Sequence, residues 1–187
     1  MKLHLKLLFC LLFCFQIANA QENSNAALLK IILSKYYANE KVIVKDRLQT
    51  LFLFCQKSNN NEEVFEAITK SEILKNNATE IRHQVQDKLE ENWAKEYDVI
   101  FATENKYLKS KVNNCSTLED FQKLASTNNL NYYRLLIVGK PMYFAKKYCL
   151  IKVAIYRTIE HNSSRFLLFE NINGKWEIKE TLNEWET

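Results

Sequence analysis

The stretch Phe166–Leu182, with the sequence FLLFENINGKWEIKETL, decides the fold class of this chain. Apolar residues recur at every second position on either side of Asn173-Gly174, as Phe166 and Leu168 before it and as Trp176 and Ile178 after it. Period-two alternation predicts a β-strand. Asn-Gly readily supplies the two positive φ angles that a two-residue type I′ turn requires. The stretch therefore predicts a β-hairpin.

The same alternation continues upstream and predicts two further strands. The apolar positions that alternate there are Tyr133, Leu135, Ile137, Cys149, Ile151, Val153 and Ile155. Strands with a single apolar face are typical of an antiparallel sheet that packs one side on a core. The last third of the chain is therefore predicted to be an antiparallel meander of about four strands.

The first two thirds of the chain follow a helical period instead. Apolar residues spaced three and four apart predict helices over 26–38, 62–74 and 79–97. Ser116 and Glu119 form a capping box that predicts the start of a further short helix. Residues 42–44 and 48–55 suit strands, although 48–55 also fits a buried helix. These elements predict an α+β fold with N-terminal helices packed on a C-terminal antiparallel sheet, and no parallel sheet is expected.

Residues 1–20 have the three parts of a secretory signal peptide. Lys2 and Lys6 supply the positive charge, Leu7–Phe15 is an unbroken apolar run, and Ala18-Asn19-Ala20 is a small-residue cleavage site. The apolar run is shorter than the roughly 20 residues that span a bilayer. A buried N-terminal helix, an uncleaved anchor and a lipid anchor are the alternatives.

Cleavage between Ala20 and Gln21 would leave residues 21–187, which suit a single domain with its own core. Loss of Lys2 and Lys6 lowers the formal net charge from +4 to +2. The remaining basic residues are dispersed, so no nucleic-acid partner is expected. The mature chain is also expected to have no stable transmembrane span.

Three cysteines remain after the signal peptide, namely Cys55, Cys115 and Cys149. Disulfides persist outside the cytosol, and an odd count allows at most one intramolecular bridge. Cys115 and Cys149 are closest in sequence and form the candidate disulfide. Sequence alone leaves the pairing open, and all three thiols could also be reduced and buried.

The sequence contains no recognisable catalytic, cofactor-binding or metal-binding motif. Only two glycines are present, so phosphate-binding loops and nucleophile elbows have no place in it. The spacing of His83 and His161 with the cysteines does not match a zinc site. No catalytic residue, cofactor or metal ligand is predicted.

The candidate ligand contacts lie at the end of the third predicted strand. Arg157 shares parity with the apolar residues Val153 and Ile155, so it points toward the apolar face. A charge there needs a partner or an open end of the sheet, and it could mark an anion pocket. Tyr156 and His161, which lie close to Arg157 in the sequence, are the other two candidate ligand contacts. Core packing is the simpler reading of the many aromatic residues nearby.

The C-terminal third resembles small uncharacterised exported proteins of Bacteroidetes-type bacteria. The resemblance rests on Val138–Phe144, a strand at Ala154–Tyr156, the turn and strand Asn173–Ile178, and a closing Trp185. In that group a Cys/Gly-rich loop often stands where this chain has Glu160-His161-Asn162-Ser163. The resemblance implies export and a similar sheet, and it implies no activity.

These observations favour a secreted or periplasmic, non-enzymatic binding domain. Its partner would be a protein, a peptide or a glycan that contacts the aromatic sheet. The alternative is a small extracytoplasmic hydrolase, whose scattered catalytic groups, such as His83 and His161, would converge in one cleft. A third hypothesis, a structural role in envelope assembly, predicts a large exposed apolar patch on the sheet.

Overall fold

The computed structural model describes residues 24–35, 43–44, 47–48, 51–57, 61–86, 91–103, 112–127, 133–157 and 162–187. The predicted signal peptide and its Ala20–Gln21 cleavage site lie outside these residues. The helices are α1 (24–35), α2 (Asn61–Lys70), α3 (Glu72–Asn76), α4 (Ala78–Gln86), α5 (Ala94–Thr103) and α6 (Leu118–Thr127). Among the helices described, none is both long and apolar enough to cross a bilayer.

Nine strands accompany the helices in the described part of the chain. They are β1 (Ile43–Val44), β2 (Arg47–Leu48), β3 (Leu51–Phe54), β4 (Val112–Ser116), β5 (Arg134–Val138), β6 (Met142–Phe144), β7 (Tyr148–Tyr156), β8 (Ser163–Ile172) and β9 (Lys175–Glu186). Strands β1 and β2 pair only with each other, and the other seven form one sheet. The α+β class is thus confirmed, and 48–55 contains a strand rather than a helix.

The sheet is mixed and larger than the predicted four-stranded meander. Its order is β4-β3-β5-β7-β8-β9, and β6 pairs with β7 off this path. Strand β3 runs parallel to both of its neighbours, β4 and β5, whereas the remaining pairs are antiparallel. The expectation of no parallel sheet is therefore wrong, and β4 is a strand in a part of the chain where none was predicted.

Parallel pairing explains why helices lie between these strands. Parallel neighbours need a crossover connection, usually helical, because a tight hairpin reverses the direction of the chain. Helix α6 connects β4 to β5 across β3, and the rings of Phe121 on α6 and Phe52 on β3 meet edge-to-face at 5.8 Å. The crossover thus places a helix over the parallel part of the sheet.

Two buried clusters lie on opposite faces of the sheet. The first cluster packs α1 and α5 against one face of the sheet, which includes Ile151 and Leu167. The second packs α2, α3 and α4 against the other face, which includes Leu150 and Phe166. Successive residues of a strand point to opposite faces, so β7 and β8 are buried on both sides. The prediction of a single apolar face is wrong for these strands.

The helix predicted over 79–97 is interrupted. Helix α4 ends at Gln86, and the chain around Asn92 instead forms a β-bridge with Gln56 before α5 begins at Ala94. Trp93 was predicted on the stripe of a continuous helix, but its backbone N–H donates to the carbonyl of Cys55 at 2.8 Å. Tertiary pairing outcompetes the helical period here.

Two finer predictions also shift by one or more residues. The helix predicted over 62–74 is divided at Ser71, whose extended backbone (φ −133°, ψ 132°) begins α3. The capping box lies one residue later than predicted, because Thr117 Oγ1 accepts from the backbone N–H of Asp120 at 3.1 Å. A threonine hydroxyl caps as serine does, so the helix start itself is as expected.

The hairpin predicted from the opening stretch is confirmed. Strands β8 and β9 are joined by Asn173 and Gly174, with φ angles of 52° and 85°. The Asn171 side chain adds a hydrogen bond, because its Oδ1 accepts from the N–H of Gly174 at 2.9 Å. The turn therefore fixes the register of the last strand pair.

Replacement of Gly174 by valine should destabilise the protein by about 1–2 kcal/mol, because a β-branched residue is strained at positive φ. A side chain at this position would meet no atom within 4 Å, so steric overlap does not contribute. Gly174→Asn is the matched control, since asparagine tolerates this backbone region. Urea unfolding of both variants tests this, and equal losses would contradict the explanation.

Candidate functional site

The candidate ligand contacts Tyr156 and Arg157 lie where β7 ends. Tyr156 pairs with Leu135 across the sheet, and its ring packs against Phe121 at 6.0 Å. The backbone N–H of Arg157 donates to Asn162 Oδ1 at 2.7 Å, which joins the end of β7 to the residue before β8. His161, the third candidate, lies outside the described residues.

Arg134 lies beside this group and was missed from the sequence. One step beyond the Leu135–Tyr156 pair, the antiparallel register of β5 and β7 places Arg134 opposite Arg157. By parity, both arginines lie on the face that carries Leu136 and Ile155. Arg134 is 7% exposed, so one arginine of this register pair is buried. Its position two residues before Leu136 and four before Val138, on the same face of the strand, could have indicated that Arg134 is buried.

Asn162 and Ser163, at the start of β8, lie at the same end of the sheet. Ser163 pairs with Ile155 on the neighbouring strand and is 8% exposed. The carbonyl of Asn162 accepts the backbone N–H of Thr187 at 2.9 Å, which holds the end of β9 against this edge. We call Arg134, Tyr156, Arg157, Asn162 and Ser163 the arginine end of the sheet.

The arginine end has the chemistry of an anion receptor. Like charges opposite each other on neighbouring strands repel, so the pair favours an acidic group between or beside them. Guanidinium forks match the geometry of carboxylate and phosphate oxygens. Both arginines already have contacts within the chain, so a ligand group would add to those contacts or replace them.

A second polar group, buried on the same side as α1 and α5, could not be foreseen from the sequence. Lys57 Nζ lies 2.5 Å from Glu96 Oε1, and both side chains are 5% exposed. Asn25 Nδ2 donates to the same carboxylate oxygen at 3.2 Å, and the Tyr143 hydroxyl donates to Asn25 Oδ1 at 2.6 Å. We call Asn25, Lys57, Glu96 and Tyr143 the buried polar cluster.

The segment Cys55–Lys57, which extends β3, places the lysine in this cluster. The backbone N–H of Lys57 donates to the carbonyl of Glu91 at 2.8 Å, and the carbonyl of Cys55 accepts from Trp93. Trp93 is fully buried, and its Nε1–H donates to the carbonyl of Val138 at 2.8 Å. Lys57 Nζ lies 4.5 Å from the centre of the indole ring, within cation–π distance.

The outer side of the cluster ends in a partly exposed ion pair. Glu91 lies 3.7 Å from Lys57 Nζ and 3.0 Å from Lys140 Nζ, so two ammonium groups and two carboxylates balance. Burial raises the pKa of Tyr143 well above its usual value, with a further contribution from the nearby acidic groups. Tyr143 therefore remains a protonated hydrogen-bond donor rather than a base.

The backbone around Tyr143 is fixed by a glutamine from α4. Gln84 Oε1 accepts the backbone N–H of Tyr143 at 3.0 Å, and Gln84 Nε2 donates to its carbonyl at 2.5 Å. The Tyr143 ring also lies 5.8 Å from that of Trp176. The hydroxyl of Tyr143 is thus directed at Asn25 by contacts on both sides of the strand.

The disulfide joins Cys55 to Cys115, with the Cα atoms 5.1 Å apart. The candidate pairing of Cys115 with Cys149 is wrong. Cys115 is on edge strand β4 and Cys149 on β7, three positions away in the sheet order. At about 4.8 Å per strand this separation exceeds the span of a disulfide. Cys149 is a buried free thiol, and burial raises its pKa.

Only one of the two histidines named for the hydrolase alternative lies among the described residues. His83 lies on the exposed face of α4, and His161 is not described. Within the same residues, no three histidine, cysteine or acidic side chains are grouped to hold a metal ion. Comparisons with protein-family models, curated proteins and solved structures find no match for this chain.

Removal of one charge from the buried pair should cost more than removal of both. Lys57→Met leaves Glu96 buried and unneutralised, for which we expect a loss of about 3–5 kcal/mol in unfolding free energy. Lys57→Met with Glu96→Gln should recover most of that loss, because Asn25 can still donate to the new amide oxygen. Denaturant unfolding of both single variants and the double variant gives the coupling energy, and strictly additive losses would contradict the pairing.

Proposed function

We propose that this chain is a secreted or periplasmic, non-enzymatic binding domain that recognises an anionic group of its partner at the arginine end. The observation that carries the proposal is the placement of Arg134 opposite Arg157. A buried arginine opposite a second arginine favours an acidic group nearby, and a partner's acidic group can add to the contacts that the two arginines already make within the chain. The partner is a protein, a peptide or a glycan that bears carboxylate, phosphate or sulfate.

Three features support the extracytoplasmic location. The first 20 residues have the organisation of a cleavable signal peptide. Disulfides such as Cys55–Cys115 persist in oxidising compartments. The resemblance of the C-terminal third to small exported bacterial proteins points the same way.

The position of the aromatic residues shifts the contact surface from the face of the sheet to its end. Phe144, Phe166 and Phe169 are at most 2% exposed and belong to the core. Tyr156 likewise packs on α6 through Phe121. These aromatic side chains therefore contribute to the core, whereas Trp185 on β9 is 47% exposed.

Titration calorimetry with phosphate, sulfate and citrate tests the proposed anion site. Arg157→Gln should weaken the binding of the preferred anion about tenfold to a hundredfold, the cost of one charged hydrogen bond. Arg82→Gln on α4 is the matched control, because it removes the same charge from an exposed surface. Binding that is absent for all three anions, or equal in the two variants, would contradict the proposal.

A further inference from the structure

The disulfide and the buried polar cluster share one short segment of backbone. Cys55 is bonded to Cys115, and two residues later Lys57 enters its pair with Glu96. Between them, Gln56 forms the β-bridge with Asn92. The backbone of Cys55 is itself held from two sides, because its N–H donates to the carbonyl of Ser116 at 3.0 Å and its carbonyl accepts from Trp93 at 2.8 Å.

The strand on the other side of the disulfide depends on the same contact. Within the described residues β4 pairs with β3 alone, through four register pairs that are interrupted by an irregularity between Phe52 and Leu53. Ser116 follows Cys115 directly, and Thr117 then caps α6. The bridge thus joins the start of a crossover helix to the segment that places Lys57.

Both cysteines of the disulfide are partly exposed to solvent. Cys55 and Cys115 are both of intermediate exposure, whereas the third cysteine, Cys149, is fully buried. Attack by a thiolate on a disulfide requires access to one of its sulfur atoms. This partial exposure of both cysteines, in contrast to Cys149, makes the bridge the part of the core at which we expect a small dithiol to act first.

We propose that the Cys55–Cys115 disulfide is a redox-sensitive latch on the buried Lys57–Glu96 pair. A dithiol reductant donates two electrons and two protons, so the S–S bond breaks, two thiols form, and the reductant becomes a disulfide. Reduction then loosens β4, the start of α6, the Cys55–Lys57 segment and the start of α5 as one unit. The antiparallel strands β7 and β8 are paired on both sides, so their backbone amides stay protected from hydrogen exchange.

This inference does not depend on the proposed anion site. Strand β3 begins at Leu51, which pairs with Arg134, and the disulfide lies beyond its other end. The two features therefore occupy opposite ends of one strand. A failure of anion binding would leave the latch untouched, and the reverse also holds.

Hydrogen–deuterium exchange with mass spectrometry tests the latch on the full exported chain. The oxidised protein is compared with protein reduced by dithiothreitol and with the double variant Cys55→Ser, Cys115→Ser. We expect exchange about tenfold faster or more in peptides covering 51–57, 91–103 and 112–127, because local opening frees their amides. Peptides covering 148–156 and 163–172 should remain unchanged.

Cys149→Ala is the control, because it removes the buried thiol and leaves the bridge intact. Its oxidised form should show the protected pattern, and dithiothreitol should change it as in the unsubstituted protein. Faster exchange in 112–127 alone would show that β4 detaches without affecting the buried pair, which overturns the proposal. Uniformly faster exchange across the sheet, or no change in any peptide, overturns it as well.

Discussion

An ammonium group that is almost completely shielded from water has to be neutralised and hydrogen-bonded where it lies, and this requirement at Lys57 organises one side of the molecule. Glu96 from α5 provides the counter-charge, and Asn25 from α1 binds the same carboxylate. Tyr143 on β6 closes the chain of contacts at Asn25. Two helices and two strand segments far apart in sequence thus meet around one charge, and their packing has to satisfy its geometry.

The two ends of β3 illustrate two uses of buried charge. At its far end the charges are balanced, since Lys57 and Lys140 face Glu91 and Glu96. At its beginning the register brings Arg134 opposite Arg157, and both of these arginines also have contacts within the chain. A balanced cluster stabilises a particular arrangement, whereas two like charges on adjacent strands favour an acidic group near them. For this reason we propose recognition at one end of the strand and a structural role for the other.

Local patterns allowed the prediction of those elements whose stability is local. The Asn173-Gly174 hairpin depends on two φ angles, and the start of α6 on one capping hydroxyl, so both could be foreseen. The break after α4 could not, because the periodic sequence there satisfies a helix until Asn92 pairs with the distant Gln56. The parallel pairing of β3 could not be predicted either, because no spacing of apolar residues in the sequence distinguishes it from antiparallel pairing.

The candidate sites divide in the same way. Arg157 could be identified because its position in the alternating pattern puts a charge on an apolar face. Arg134 was harder to identify in this way, because the residues that follow it in β5 are apolar at every position. Lys57 and Glu96 look like ordinary surface charges until the fold brings them together. The pairing of Cys115 with Cys55 likewise follows from the strand order and not from the separation of 60 residues.

Export of the chain and the constraint of the Lys57 segment by the disulfide are the two central proposals. Peptide mapping of unreduced protein recovered from its native host tests them most directly. We predict an N-terminal peptide that begins at Gln21, a cross-linked peptide pair containing Cys55 and Cys115, and Cys149 as a thiol that is alkylated only after unfolding. A chain that retains Met1, or a cross-link between Cys115 and Cys149, would contradict the account.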